Sequence, residues 1–133
     1  MTPTYFPGGS SFETFLHRLQ IAESRYVFVM CTFAGSYVSL SAKKTYLAHP
    51  VATYIPLYII DVLETPQIYH HLTQAFPRIF LHEKLPVHIC FEKHLDTTTN
   101  HLTLTPIFSN YTTIGDRHLE QLASLSSPAA LAS

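Results

Sequence analysis

Cysteine is the residue type with the clearest redox and nucleophilic chemistry in this chain, and it occurs at positions 31 and 90 only. Thiol–disulfide exchange needs a low-pKa thiolate, usually at the start of a helix or beside a second cysteine. Cys31 and Cys90 instead lie inside apolar, β-prone runs that are typical of buried strands. Because burial raises the pKa of a thiol, we expect inert core thiols. A disulfide between the two and a single reactive thiol are the alternatives.

Two serines, Ser36 and Ser39, occupy the short segment that follows the first of these apolar runs. A serine nucleophile needs an adjacent base, and neither a Ser/His/Asp pattern nor the glycines of a nucleophile elbow surround them. The segment is instead typical of a turn followed by a helix cap. The free N–H groups of such a helix start could receive a carbonyl group or an anion. We therefore predict no catalytic residue and no cofactor.

One predicted strand carries four potential zinc ligands at every second position, so that they project from one face: His88, Cys90, Glu92 and His94. Side chains at i and i+2 on a strand stand about 6–7 Å apart, which is too far for four of them to close around one ion. His101, across the predicted hairpin, could add a ligand. His70 and His71 point to different helix faces and do not form a pair. We predict no metal site.

The composition limits the kinds of partner. Apolar residues make up 47% of the chain and charged residues only 13%, so few charges oppose self-association and we expect a homo-oligomer or a partner-covered face. A net charge of -1 gives no basic excess for nucleic acid or an anionic membrane. The sequence shows neither an 18-residue apolar stretch nor an apolar signal segment near its start, which predicts a cytoplasmic protein without a membrane span.

Hydrophobic periodicity and turn residues predict alternating helices and strands. The predicted elements are a helix over 12–22, a strand over 26–33, a helix over 39–49, a strand within 54–62 that begins after Pro56, a helix from Pro66 capped by Thr65, a hairpin of strands 87–95 and 101–108, and a closing helix from 116 to 125. Residues 1–10 are predicted to be a flexible arm, 11–125 a single domain, and 126–133 a frayed tail. The β-α-β unit implies a parallel strand pair, and the hairpin adds antiparallel strands.

This order of elements over residues 11–125 resembles the thioredoxin-like fold. Val27 to Ala34 looks like the central strand and the aromatic–alanine pair before the redox loop. Ile59 to Asp61, followed by Thr65-Pro66, looks like the strand, acidic residue and proline-started helix of that family. Asp116 to Leu125 looks like its closing helix. The resemblance implies an α/β fold with a mixed central sheet of four to five strands and helices on both faces.

Leu85-Pro86-Val87 looks like the loop whose cis-proline faces the redox loop in this family. The segment from Ala75 to Lys84 is longer than the usual connection before that loop. Pro77 is therefore an alternative cis-proline, with Arg78 to Glu83 as the next strand.

This sequence differs from the family pattern at the redox motif, because Ser36-Tyr37-Val38-Ser39 stands where Cys-x-x-Cys would be. We therefore expect a non-catalytic module that binds a protein partner, with Tyr37 as its exposed anchor. The predicted partner-binding residues are Gly35, Ser36, Tyr37, Val38, Ser39, Leu85 and Pro86. The alternatives are a divergent thiol-dependent redox enzyme that uses Cys31 or Cys90, and a self-assembling structural protein.

Overall fold

A computed structural model describes residues 3–33, 36–80, 85–111 and 116–125 of the chain. These residues form the strands β1 (Thr4–Tyr5), β2 (Tyr26–Thr32), β3 (Leu57–Asp61), β4 (Val87–Asp96) and β5 (His101–Tyr111). They also form the helices α1 (Phe12–Ile21), α2 (Tyr37–Ala48), α3 (Pro66–Ala75) and α4 (Asp116–Leu125), together with a short 3₁₀ helix at Pro50–Thr53.

The strands make one mixed sheet in the order β1-β3-β2-β4-β5. β3 pairs in parallel with both β1 and β2, whereas β4 pairs antiparallel with β2 and with β5. The parallel β2–β3 pair is joined through α2, as the β-α-β pattern predicts. Thr32 at the end of β2 lies opposite Asp61 at the end of β3, so the carboxyl ends of these strands meet at one edge of the sheet.

Helices cover both faces of the sheet because the side chains of β2 alternate between two apolar cores. Val27, Val29 and Cys31 pack with residues of α1 and α3, while Phe28 and Met30 pack with residues of α2 and α4. The predicted arrangement of a mixed sheet between helical layers is therefore confirmed. Six apolar residues of the three central strands are buried: Val27, Val29, Ile59, Ile60, Ile89 and Phe91.

Local hydrogen bonds explain where several elements begin. Ser11 caps α1, since its Oγ accepts from the N–H of Thr14 at 3.2 Å. α2 begins at Tyr37, before the predicted Ser39, because Ser36 is the cap and its Oγ accepts from the N–H of Ser39 at 3.3 Å. Thr65 precedes α3 as expected, but its hydroxyl donates to the carbonyl of Asp61 at 2.9 Å instead of capping the helix.

The N-terminal segment is not free of regular structure, which corrects the prediction of a flexible arm over residues 1–10. Thr4 and Tyr5 pair with Tyr58 and Ile59 of β3, whose edge offers unpaired backbone groups. Phe6 is buried, with its ring centroid 5.5 Å from that of Phe15. The prolines and glycines of this segment flank the short strand and do not interrupt it.

The Leu85–Pro86 peptide bond is cis, which decides between the two proline candidates in favour of Pro86. The alternative strand from Arg78 to Glu83 is not formed over residues 78–80, which lie in turns, and its remaining residues lie outside the described part of the chain. The predicted tail over 126–133 also lies outside it. Within the described ranges, no helix has the length and apolar character needed to cross a membrane.

Candidate functional site

A cleft of about 470 Å³ opens at the carboxyl ends of the parallel strands β1, β2 and β3. This edge is where the loops of open α/β sheets commonly form ligand sites. One wall is the first two turns of α2 and the other is the turn from β3 into α3, with β1 along the side. The lining residues are Tyr5, Phe6, Thr32, Phe33, Ser36, Tyr37, Ser39, Leu40, Lys43, Ile59, Asp61, Glu64 and Thr65.

The α2 wall carries hydrogen-bond donors because its residues recur at helical spacing. Ser36, Ser39 and Lys43 stand at positions i, i+3 and i+7, which places them along one side of the helix. Lys43 Nζ donates to the Tyr5 hydroxyl at 2.8 Å and lies 5.5 Å from the centroid of the Tyr5 ring. Among the described residues, no carboxylate forms an ion pair with Lys43.

The opposite wall carries the carboxylates of Asp61 and Glu64. Asp61 Oδ1 accepts from the backbone N–H groups of Leu63 at 2.8 Å and Glu64 at 3.2 Å, which fixes the turn that leads into α3. The carbonyl of Glu64 accepts from the N–H of Gly9 at 2.9 Å, so the N-terminal segment is tied to this wall. At Gly8, an added Cβ would lie 3.0 Å from Glu64 Oε2, the end of an exposed side chain that would have to move aside.

The predicted partner-binding residues differ in how much of each side chain is exposed to solvent. Tyr37 is 83% exposed at the first position of α2, and Val38 beside it is also exposed. Ser36 is half-buried as the helix cap, and Ser39 is buried. Gly35 lies outside the described residues.

The Leu85–Pro86 turn lies at the same end of the sheet as the start of α2. Cys31 pairs with Val87 in the antiparallel β2–β4 ladder, so this turn is next to the end of β2. However, Leu85 is half-buried against the core of α1 and α3, and Pro86 is buried. The turn also does not line the cleft.

Both cysteines are free and buried, on opposite faces of the sheet. Cys31 packs in the core beneath α1 and α3, and Cys90 packs in the core beneath α2 and α4. The opposed faces separate the two sulfurs, so the alternative of a Cys31–Cys90 disulfide is wrong. Burial raises the pKa of each thiol to about 12, and the carboxylate of Glu92 adds to the effect at Cys90. Neither sulfur lies at a helix start.

The alternating polar side chains of β4 are used in separate contacts. The ring of His88 stacks on Phe28 with a centroid distance of 6.0 Å. Glu92 forms an ion pair with Arg25 Nη2 at 3.0 Å, and its Oε1 lies 2.7 Å from His94 Nε2. The described residues contain no group of three or more His, Cys, Asp or Glu side chains that could hold a metal ion.

Several lining residues of the cleft were missed by the reasoning from sequence. Lys43 could have been found, because it stands seven residues after Ser36 on the same helix face. Asp61 could also have been found, as a polar residue at the carboxyl end of a buried strand. Tyr5 had no comparable signal, because a strand of two residues has no readable periodicity.

No protein-family model matches this chain, and no curated protein matches it. Solved structures do match its fold. A thioredoxin from Trichomonas vaginalis has a TM-score of 0.66 at 12% identity, over 92% of this chain and 96% of that one. A thioredoxin from Malassezia sympodialis has a TM-score of 0.62 at 12% identity, over 96% of each chain.

A chloroplastic thioredoxin z is also similar, with a TM-score of 0.59 at 15% identity, over 94% of this chain and 95% of that one. At such low identities the similarity concerns the fold alone. The strand order, the helical layers and these matches agree with one another. The chain therefore has a thioredoxin-like fold, with Ser36-Tyr37-Val38-Ser39 at the start of the helix that follows its central strand.

Proposed function

We propose that this chain is a non-catalytic, thioredoxin-like module that binds a protein partner through the surface around the start of α2. We call this surface the α2 rim and define it by Phe33, Tyr37, Val38 and Leu40, which are all exposed. The Leu85–Pro86 turn lies beside the end of β2 and is not itself an exposed contact. The observation that carries the proposal is the 83% exposure of Tyr37 at the mouth of the cleft.

The environments of the thiols favour a binding role over dithiol chemistry. A nucleophilic cysteine must reach solvent or substrate as a thiolate. Cys31 and Cys90 are buried in separate cores, and their pKa values are raised to about 12. At the start of α2, where a low-pKa thiol would benefit from the helix dipole, Ser36 and Ser39 supply hydroxyls that cannot form a disulfide.

The composition of the α2 rim is suited to a protein partner. Aromatic side chains are enriched among the residues that dominate protein interfaces, since they bury a large area at a low entropic cost. Phe33 and Tyr37 are exposed beside the aliphatic side chains of Val38 and Leu40. Apolar side chains grouped in this way beside a cleft mark an interaction surface more often than scattered ones do.

Site-specific photo-crosslinking tests this proposal in extracts of the cells that make the protein. A photoreactive phenylalanine analogue at position 37 should yield a discrete crosslinked protein, whereas the same analogue at Tyr54 should not. Tyr54 is 62% exposed and precedes β3, at the end of the sheet away from the cleft, which makes it a matched control. Equal crosslinking from both positions, or none from position 37, would count against the α2 rim.

A further inference from the structure

The two walls of the cleft offer complementary chemistry to a ligand. The α2 wall presents the ammonium group of Lys43 and the start of a helix, which both favour an anion. The facing wall presents the carboxylates of Asp61 and Glu64, which accept hydrogen bonds. With one cation and two carboxylates in the lining, a ligand has to bring an anionic group to one wall and N–H donors to the other.

The start of α2 has donors left over after its own capping. Ser36 Oγ accepts from the N–H of Ser39, and the Ser36 carbonyl accepts from the N–H of Leu40 at 3.1 Å. The N–H groups of Tyr37 and Val38, at the first two helical positions, have no acceptor within the helix. Two adjacent backbone donors at a positive helix end are suited to a carboxylate.

Ser39 gives an independent indication of a ligand. This residue lines the cleft and is only 6% exposed, yet its Oγ has no hydrogen-bond partner among the described residues. A buried hydroxyl without a partner has lost its hydrogen bonds to water without replacement, so most such groups in folded proteins are satisfied. An acceptor atom of a bound ligand would satisfy it. Ser39 and Lys43 are four residues apart on α2, so one ligand can meet both side chains.

We propose that the cleft binds the C-terminal carboxylate of a partner peptide whose last side chain is apolar. This inference rests on the proposed function, because it names the part of the partner that the site recognises. The carboxylate lies against Lys43, Ser39 and the N–H groups of Tyr37 and Val38. The apolar side chain packs on the exposed residues of the α2 rim, and the preceding backbone N–H groups face Asp61 and Glu64.

Other anions fit these walls less well. A phosphate dianion would meet the like charges of Asp61 and Glu64 in the same cleft, whereas a carboxylate carries a single charge. A simple aliphatic or aromatic acid satisfies the α2 wall but brings no N–H donor to the opposite wall. A peptide end supplies both groups, and a volume of about 470 Å³ is within the usual range for ligand sites.

The test uses the full chain and an acetylated pentapeptide, Ac-Gly-Ser-Gly-Ala-Phe, with either a free or an amidated C-terminus. Calorimetry should show the free acid binding at least about tenfold more tightly than the amide, since only the acid offers a charged acceptor to the donors of the α2 wall. Lys43→Met should weaken binding of the free acid by a similar factor and leave the amide unchanged. Lys44→Met, which removes the same charge from an exposed position one residue further along α2, is the matched control and should bind like wild type.

Ser39→Ala separates a ligand-binding hydroxyl from a structural one. Removing a hydroxyl that has no partner in the free protein should leave the urea midpoint unchanged or raise it, while affinity for the free acid falls. If Ser39→Ala instead lowers the midpoint and leaves affinity unchanged, the inference is wrong.

Four further results would also overturn the inference: equal binding of acid and amide, equal effects of the two lysine substitutions, binding of free phenylalanine but not of the acetylated peptide, and tighter binding of 3-phenylpropionate than of the peptide. Failure here is distinguishable from failure of the proposed function. If crosslinking at position 37 persists in Lys43→Met while the peptides do not bind, the α2 rim is a partner surface that does not recognise a carboxylate.

Discussion

Lys43 and Tyr5 are joined across the side of the cleft, with the Lys43 Nζ donating to the Tyr5 hydroxyl at 2.8 Å. This contact links α2 to the short first strand, which pairs with β3 at the edge of the sheet. The N-terminal segment therefore positions the cation of the cleft as well as closing its side. Substitutions in this segment can separate its contribution to the packing of the core from its contribution to the position of the Lys43 side chain.

Phe6 provides the packing contribution of the N-terminal segment. Its side chain is 8% exposed and packs against Phe15 and Tyr58. We expect Phe6→Ala to lower the free energy of unfolding by about 3 kcal/mol, as is usual when a buried aromatic ring is removed. Urea denaturation followed by circular dichroism measures this change. Tyr5→Phe, which removes only the hydroxyl bonded to Lys43, is the control and should cost less than about 1 kcal/mol.

The redox prediction follows from the burial of both thiols. In the native protein, Cys31 and Cys90 should react with 5,5′-dithiobis(2-nitrobenzoate) at pH 8 only as fast as the fold opens, and both should react at once in guanidinium chloride. In an insulin-reduction assay with dithiothreitol, we expect no acceleration over the uncatalysed rate. Turnover that disappears in Cys31→Ser or Cys90→Ser would instead favour the thiol-dependent enzyme.

The same burial makes stability depend on pH in alkaline solution. Each thiol has a pKa raised from 9.0 to about 12 in the folded state, so above pH 9 the unfolded chain loses these protons first. The contribution of the buried, protonated thiols to the free energy of unfolding is therefore fully present below about pH 9. This contribution is lost as pH rises from there towards 12. Urea midpoints at pH 8 and pH 10 should show the decline, and it should be smaller in Cys31→Ala. An equal decline in that variant would mean that other groups cause it.

The positions of the strands could be predicted where burial on both faces requires continuous apolar residues. They were harder to predict where a strand is short or lies at the edge of the sheet. β2 and β4 were evident because central strands need continuous apolar residues, as in the run from Tyr26 to Thr32. β1 was missed because two residues between prolines leave no pattern. In β5, which continues past the predicted Phe108 to Tyr111, a bulge opposite Cys90 and Phe91 interrupts the alternation.

One wall of the cleft could be predicted from the sequence and the other could not. The start of α2 was expected as a surface, because the first N–H groups of any helix have no acceptor within it. The opposite wall depends on the register of β2 with β3, which brings Asp61 beside Thr32 although the two are far apart in sequence. Pairings of this kind are set by tertiary packing and not by local spacing. The predicted surface extended towards Pro86 because the resemblance places a cis-proline loop opposite the redox loop, whereas the cleft lies on the β3 side.

Self-association should occur through the edge strand β5. Among the described residues β5 is the outer strand next to β4, and residues 101–111 include no Lys, Arg, Asp or Glu. The features that protect this edge against pairing are limited to Pro106 and the bulge beside it. We expect sedimentation to show association at micromolar concentrations and Thr105→Lys to reduce it. Gln74→Lys, an exposed position on α3, adds the same charge elsewhere and is the control. If the protein is a monomer at all concentrations, self-association through β5 is wrong. A different protein is then the expected partner.

Tyr37 should contribute most to partner binding at the α2 rim. Its ring is the most exposed of the large hydrophobic side chains described, at 83%, so its removal should not disturb the core. We expect Tyr37→Ala to weaken binding of the partner captured by crosslinking at least about tenfold, equivalent to about 1.4 kcal/mol. The urea midpoint should stay unchanged, and Tyr54→Ala at the other end of the sheet should affect neither quantity. Tyr37→Phe should retain most of the affinity if ring area dominates, and a loss as large as that of Tyr37→Ala would assign the binding energy to the hydroxyl. Undiminished binding by Tyr37→Ala would move the interface away from the start of α2.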